Sequence, residues 1–255
     1  MPKRKRYVPT TRKRKRPSKR SRSSRKRARR AVMSSNFPRR NTGTTFIRRG
    51  LPYRAFCKHL YCGDTTMQIA TLSQSATYNI SCSSTYDPDV TGAGHQPMYR
   101  DEMAALYQRY CVVGAKISVY IQNNGGTGDP AALCIGTHSD KHSAYLAPGN
   151  VHTYTEKQLG KCIYLPRSSA DWTDHKTLTA RYSLKKLFGI KKDTNVCNEN
   201  SEYAALNNAS PSDQAHFTIS LNRIGQGTAA SPNYHVWYRV EYLTVWFDPY
   251  TPTGS

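Results

Sequence analysis

The distribution of charge constrains this chain more than any other feature of its sequence. No acidic residue precedes Asp64, whereas 21 of the 38 Lys+Arg fall within the first 49 residues and 17 within the first 30. The rest of the chain holds 17 basic residues against 16 acidic ones, so nearly the whole net charge of +22 sits in an N-terminal tail. Like charges at that density outnumber the apolar side chains beside them, and such a segment cannot bury enough surface to offset the entropy of ordering it. Residues 1–49 are therefore expected to form an arm that is disordered when free, and residues 50–255 a separate folded domain.

The cations of the arm come in blocks: Lys3, Arg4, Lys5 and Arg6; Arg12, Lys13, Arg14, Lys15 and Arg16; Lys19, Arg20 and Arg22; Arg25, Lys26, Arg27, Arg29 and Arg30. Pro and Ser separate them without a helical apolar period, which describes a flexible polycation. Its natural partner is a polyphosphate, because each neutralised phosphate releases condensed counterions whatever the base sequence. Compact clusters of this kind also act as nuclear import signals, so the import machinery is a second expected partner. A bare solvated charge run would repel itself, and an anionic membrane would want an amphipathic face or a lipidation motif that the arm lacks. Nearer the domain, Arg39, Arg40, Arg48 and Arg49 alternate with Phe37, Phe46 and Tyr53. This mixture suits stacking on unpaired bases. The alternative is that the aromatic residues tie the arm to the domain.

After Gly50 the charge is balanced and 24 of the 27 aromatic residues are found, which suits one domain with a sizeable core. No apolar run approaches the roughly 20 residues needed to cross a bilayer, and the N-terminus lacks the apolar stretch of a secretory signal, so no membrane insertion is expected. Candidate strands cover residues 65–72, 76–82, 113–121, 131–137, 161–165, 177–182, 215–223 and 234–247. In the last of these Val236, Tyr238, Val240, Tyr242, Thr244 and Trp246 share one face, while its second half is apolar on both faces. A strand of that kind must lie under another layer or under a neighbouring subunit. Helix is expected only over residues 98–110 and 183–189. About eight strands with long loops and minor helix describe an all-β chain, a single eight-stranded jelly-roll sandwich, better than a parallel α/β fold. The seven scattered cysteines read as reduced core thiols.

Little else suggests chemistry. Cys57 and Cys62, with His59 between them, form the nearest approach to a metal pair, but no second pair stands at finger spacing. Asp171, Asp174 and His175 have the residue types to bind a divalent cation or position a water, against a plain solvated loop around Trp172. Phosphate-cradling and hydrolase motifs are missing from the sequence. No catalytic residue, metal or cofactor is expected, and the chain is not read as an enzyme.

Some stretches are more particular. Tyr107-Gln-Arg-Tyr-Cys-Val-Val-Gly-Ala-Lys-Ile-Ser-Val119 resembles the lead into the third jelly-roll strand in capsid proteins of small circular, Rep-encoding single-stranded DNA viruses of the circovirus-like, unclassified group. Tyr182-Ser-Leu-Lys-Lys-Leu-Phe-Gly189 and Asn208-Ala-Ser-Pro-Ser-Asp-Gln-Ala-His-Phe217 are similar to the same group. The arm mixes Lys with Arg where circovirus arms are more nearly pure Arg. The resemblance implies a single jelly roll, a closed T=1 icosahedral shell of sixty identical subunits, an arm turned inward to the genome, import into a host nucleus and an unidentified host receptor. Sixty arms would carry about 1,260 positive charges, the scale of the phosphates in a single-stranded genome of one to two thousand nucleotides. Three rival readings remain: a single-stranded RNA or satellite virus coat, a cellular basic nucleic-acid-binding protein, and a nuclease using Asp171, Asp174 and His175. A cellular binding module would place basic residues on its folded surface, and the near-neutral domain argues against it.

Overall fold

The computed structural model describes residues 51–70, 73–123, 130–140, 151–156, 159–165, 175–191, 194–224 and 233–251. Nine strands run in chain order: β1 (Arg54–Met67), β2 (Ser75–Ser81), β3 (Tyr107–Asn123), β4 (Ala131–Ser139), β5 (Lys161–Leu165), β6 (His175–Ser183), β7 (Ala204–Leu206), β8 (Ala215–Arg223) and β9 (Tyr234–Pro249). Three short helices accompany them: α1 (Arg100–Leu106), α2 (Val151–Glu156) and α3 (Leu184–Leu187). One sheet has the order β1-β9-β3-β6, with β7 added to β3, and the other the order β2-β8-β4-β5. All pairings are antiparallel, and the chain passes back and forth between the sheets. This is the jelly roll, a double sheet closed by Greek-key connections.

The alternation that marks a half-buried strand holds along β3 and β9. Ile117, Val119 and Ile121, with Val236, Tyr238 and Val240, point into the space between the sheets and meet Leu133, Ile135, Phe217, Ile219 and Leu221 from the other layer. Full burial of an aliphatic or aromatic side chain of this size contributes about 1.5–3 kcal/mol. Strands β4 and β8 are buried on both faces. Helix α2 accounts for part of this by laying Val151 and Tyr154 over Ala132 and Cys134. A Cβ on Gly136 would come within 3.1 Å of the Tyr154 ring, so the close approach requires glycine there.

At the β1/β2 edge the interior is polar but satisfied. Tyr78 Oη donates to Asp89 Oδ2 at 2.9 Å and lies 3.3 Å from Tyr238 Oη, while Thr91 donates its backbone N–H and its hydroxyl to Asp89 Oδ1. The turn read around Pro88 is thus pinned into the fold by a buried carboxylate.

Several expectations need correction. The first strand begins at Arg54, eleven residues ahead of the predicted 65–72, because Phe56 and Leu60 on its outer side obscure the alternation of Ala55, Cys57, His59 and Tyr61. The predicted helix 98–110 ends at Leu106. Tyr107 and Tyr110 belong to β3 instead, where Tyr110 packs 5.3 Å from the Trp246 ring, and this sheet pairing overrides the helical spacing. The loop over 191–210 contains β7. Cys134 and Cys162 are not thiols; they form a disulfide between directly opposed positions of β4 and β5. The other five cysteines are free.

The second half of β9 is covered from within the chain. Val245 and Phe247 are buried, and Cys111, directly opposite Val245, meets Cys197 of the segment between α3 and β7. Arg54 Nη2 fastens the same segment by donating to Cys197 O at 3.0 Å. This part of the strand needs no neighbouring subunit.

Candidate functional site

The arm cations from Lys3 to Arg49, together with Phe37 and Phe46, lie outside the described residues, as do Asp171 and Asp174. Tyr53 is described, and its surroundings are those of a tether. Its hydroxyl bonds the Asp248 carboxylate, which raises the phenol's pKa by disfavouring the phenolate. Asp248 adopts a left-handed φ of 56° and also lies 3.7 Å from Arg109 Nε. Beside it Tyr107 Oη donates to Pro52 O at 3.0 Å. The chain is thereby fixed to the end of β9 before β1 begins. The Tyr53 ring is still 60% exposed, with the Arg54 guanidinium 5.8 Å from its centroid.

The Cys57–His59–Cys62 group separates on inspection. Positions 57 and 62 differ by five along a strand, which puts the two thiols on opposite faces of β1. His59 is buried and has both ring nitrogens engaged. Trp246 Nε1–H can only donate, so Nε2 accepts at 3.0 Å, and Nδ1–H must donate to Met98 O at 3.1 Å. Burial lowers the imidazole pKa; the Met98 carbonyl opposes that, Arg100 adds to it and Glu102 opposes it. His59 is therefore a neutral structural histidine that joins β1, β9 and the segment before α1. His175, the third member of the acidic-loop group, opens β6 at an exposed position opposite Gln122.

What the sequence could not show is the outer face of the β1-β9-β3-β6 sheet, because strand register sets it. Four rows cross it: Leu60–Glu241–Lys116–Arg181, Cys62–Arg239–Ser118–Thr179, Asp64–Trp237–Tyr120–Thr177 and Thr66–His235–Gln122–His175. Trp237 and Tyr120 are ring neighbours, with centroids 4.8 Å apart. The alternation of Lys116 with Tyr120 and of Trp237 with Arg239 is visible in the sequence, but not their adjacency.

A second exposed surface is apolar. Met98, Tyr99, Leu106, Leu206 and Tyr250 all stand out from segments around α1, β7 and the end of β9. Tyr250 N–H donates to Leu106 O, and Asn207 Nδ2 donates to Ala104 O and to Tyr250 Oη, so these segments are tied together.

No protein-family model and no curated protein matches the sequence. Among solved structures the chain is similar to the empty head of turnip yellow mosaic virus, at 10% identity over 83% of this chain and 91% of that one, with a TM-score of 0.39. It is also similar to mud crab tombus-like virus, at 10% identity over 81% and 96% of the two chains, TM-score 0.39. The decameric BFDV capsid protein is similar at 8% identity over 75% and 99%, TM-score 0.40. At these values the likeness is one of fold, and the jelly-roll assignment rests on the strand order and register of this chain.

Proposed function

We propose that this chain is a viral coat protein that assembles into a closed icosahedral shell of sixty copies and packages single-stranded DNA through its basic arm. The observation that carries the reading is the joining of two parts. A jelly roll, a fold that hosts capsid proteins among other functions, follows an arm that holds 21 of the chain's 38 basic residues. The interior between the sheets is filled by side chains such as Ile117, Val119, Phe217 and Leu221, which suits a scaffold. The apolar surface around Met98, Tyr99, Leu106 and Tyr250 suits contact between copies, since contiguous exposed apolar patches mark interaction sites. Identical subunits joined by heterologous contacts close into rings or shells when the rotation permits. The arm's clusters further suit nuclear import before assembly in a host nucleus, and exposed loops suit an unidentified host receptor.

Negative-stain imaging of the expressed full-length protein, followed by nuclease treatment of opened particles, tests this. Closed particles whose contents fall to DNase and resist RNase are expected. Contents digested by RNase alone would transfer the reading to an RNA virus coat, and a protein that forms no particle with either cargo would contradict it.

A further inference from the structure

The outer face of the β1-β9-β3-β6 sheet places cations and flat rings together in a fixed pattern. Trp237 is 43% exposed, and its ring stands 4.8 Å from that of Tyr120 on the adjacent strand at an interplanar angle of 36°. The next row carries Arg239 with Ser118 and Thr179, and the row beyond it Lys116 and Arg181. On the far side of the rings lie His235, Gln122 and His175. Arg239 Nη2 is 3.3 Å from Glu241 Oε1, but both are about half exposed, so a phosphate can compete for the guanidinium.

We propose that this face is a platform for single-stranded nucleic acid, with Trp237 and Tyr120 stacking against unpaired bases and Arg239, Lys116 and Arg181 meeting the flanking phosphates. The inference rests on the packaging reading and names a second contact for the same cargo, on the folded domain. Rings held on two hydrogen-bonded strands are already in place, so little ordering is needed when a base arrives. A duplex hides its base faces, so the platform selects single strands. A second copy of the chain is the poorer occupant. The centre of a protein interface is depleted in charge, whereas Lys58, Lys116, Arg181 and Arg239 share this face with Asp64 and Glu241. The surface suited to a second copy is the apolar one around Met98, Tyr99, Leu106 and Tyr250.

The test is photo-cross-linking of full-length protein to an oligothymidine carrying 5-iodouracil, with the linked peptides mapped by mass spectrometry, beside affinity measured over a salt series. Links at Trp237 or Tyr120 are expected. At salt high enough to suppress the arm's contribution, Trp237→Ala should weaken binding by about tenfold, while Trp237→Phe keeps most of it. Arg239→Gln combined with Lys116→Gln should reduce the slope of log affinity against log salt by about two, one per lost phosphate contact. Links confined to the arm, with unchanged affinity for Trp237→Ala, would overturn the platform while leaving packaging intact. Particle formation lost in Trp237→Ala with links at Tyr120 absent and affinity unchanged would also overturn it, making the face a contact between copies. Links at Trp237 in a protein that never forms particles would uphold the platform and remove the shell.

Discussion

At the scale of single residues, the buried polar groups set the pH response. His59 and His216 are both held neutral by burial, which lowers their pKa values; at His216 the Asp140 carboxylate, 2.7 Å away, opposes the shift without cancelling it. As pH falls through about 6.5 the unfolded chain takes up these protons before the folded one does, so stability is full above that value and declines below it. Urea midpoints should therefore be lower at pH 5.5 than at pH 7.5, and equal midpoints would show that neither imidazole resists its proton. Replacing Trp246 by Phe leaves His59 Nε2 without its donor, which should cost about 1–3 kcal/mol in the same measurement. Space matters as much as polarity beside Asp89. A Cβ on Gly94 would lie 2.5 Å from Tyr61 Oη and 2.7 Å from Asp89 Cβ, so Gly94→Ala should destabilise by about 1–3 kcal/mol, read as a loss of Tm. In the arm, Arg39, Arg40, Arg48 and Arg49 should retain single-strand affinity after residues 1–30 are removed, and replacing all four should remove most of what remains.

At the scale of elements, the disulfide links a short edge strand to its one neighbour in the sheet. β5 pairs with β4 alone, and the crosslink closes a sequence separation of 28 residues, which constrains the unfolded chain by about 3 kcal/mol. Reduction should lower Tm and speed amide exchange in Lys161–Leu165, while β8 and β9 stay protected. What the sequence reveals about such elements follows from how far each depends on its own periodicity. β5 and β8 match their predicted bounds, and β3 and β9 are legible from alternation, since each meets the core with every second side chain. β1, α2 and β7 were not legible. β1 carries Phe56, 74% exposed, on its outer side; α2 is a single turn and a half held by Tyr154; and β7 exists through its pairing with Arg109, Tyr110 and Cys111. The Cys134–Cys162 bond and the Trp237–Tyr120 pair are likewise products of register, which one sequence does not disclose.

At the scale of the whole molecule, two unlike parts divide the work. The domain supplies shape and contact surfaces, and the arm supplies a charge that opposes assembly until a polyanion compensates it. Removing residues 1–30 takes away 17 cations and none of the described core, so the domain should keep its fold while nucleic-acid binding and nuclear accumulation fall steeply. Retained affinity would locate the main contact on the sheet face. The measurement that tests the account most directly is sedimentation of the purified full-length protein at low and high salt, with and without single-stranded DNA. The account predicts a fast-sedimenting particle that forms at low salt when DNA is present and forms less readily without it. A species that stays monomeric at every salt and DNA concentration would contradict it.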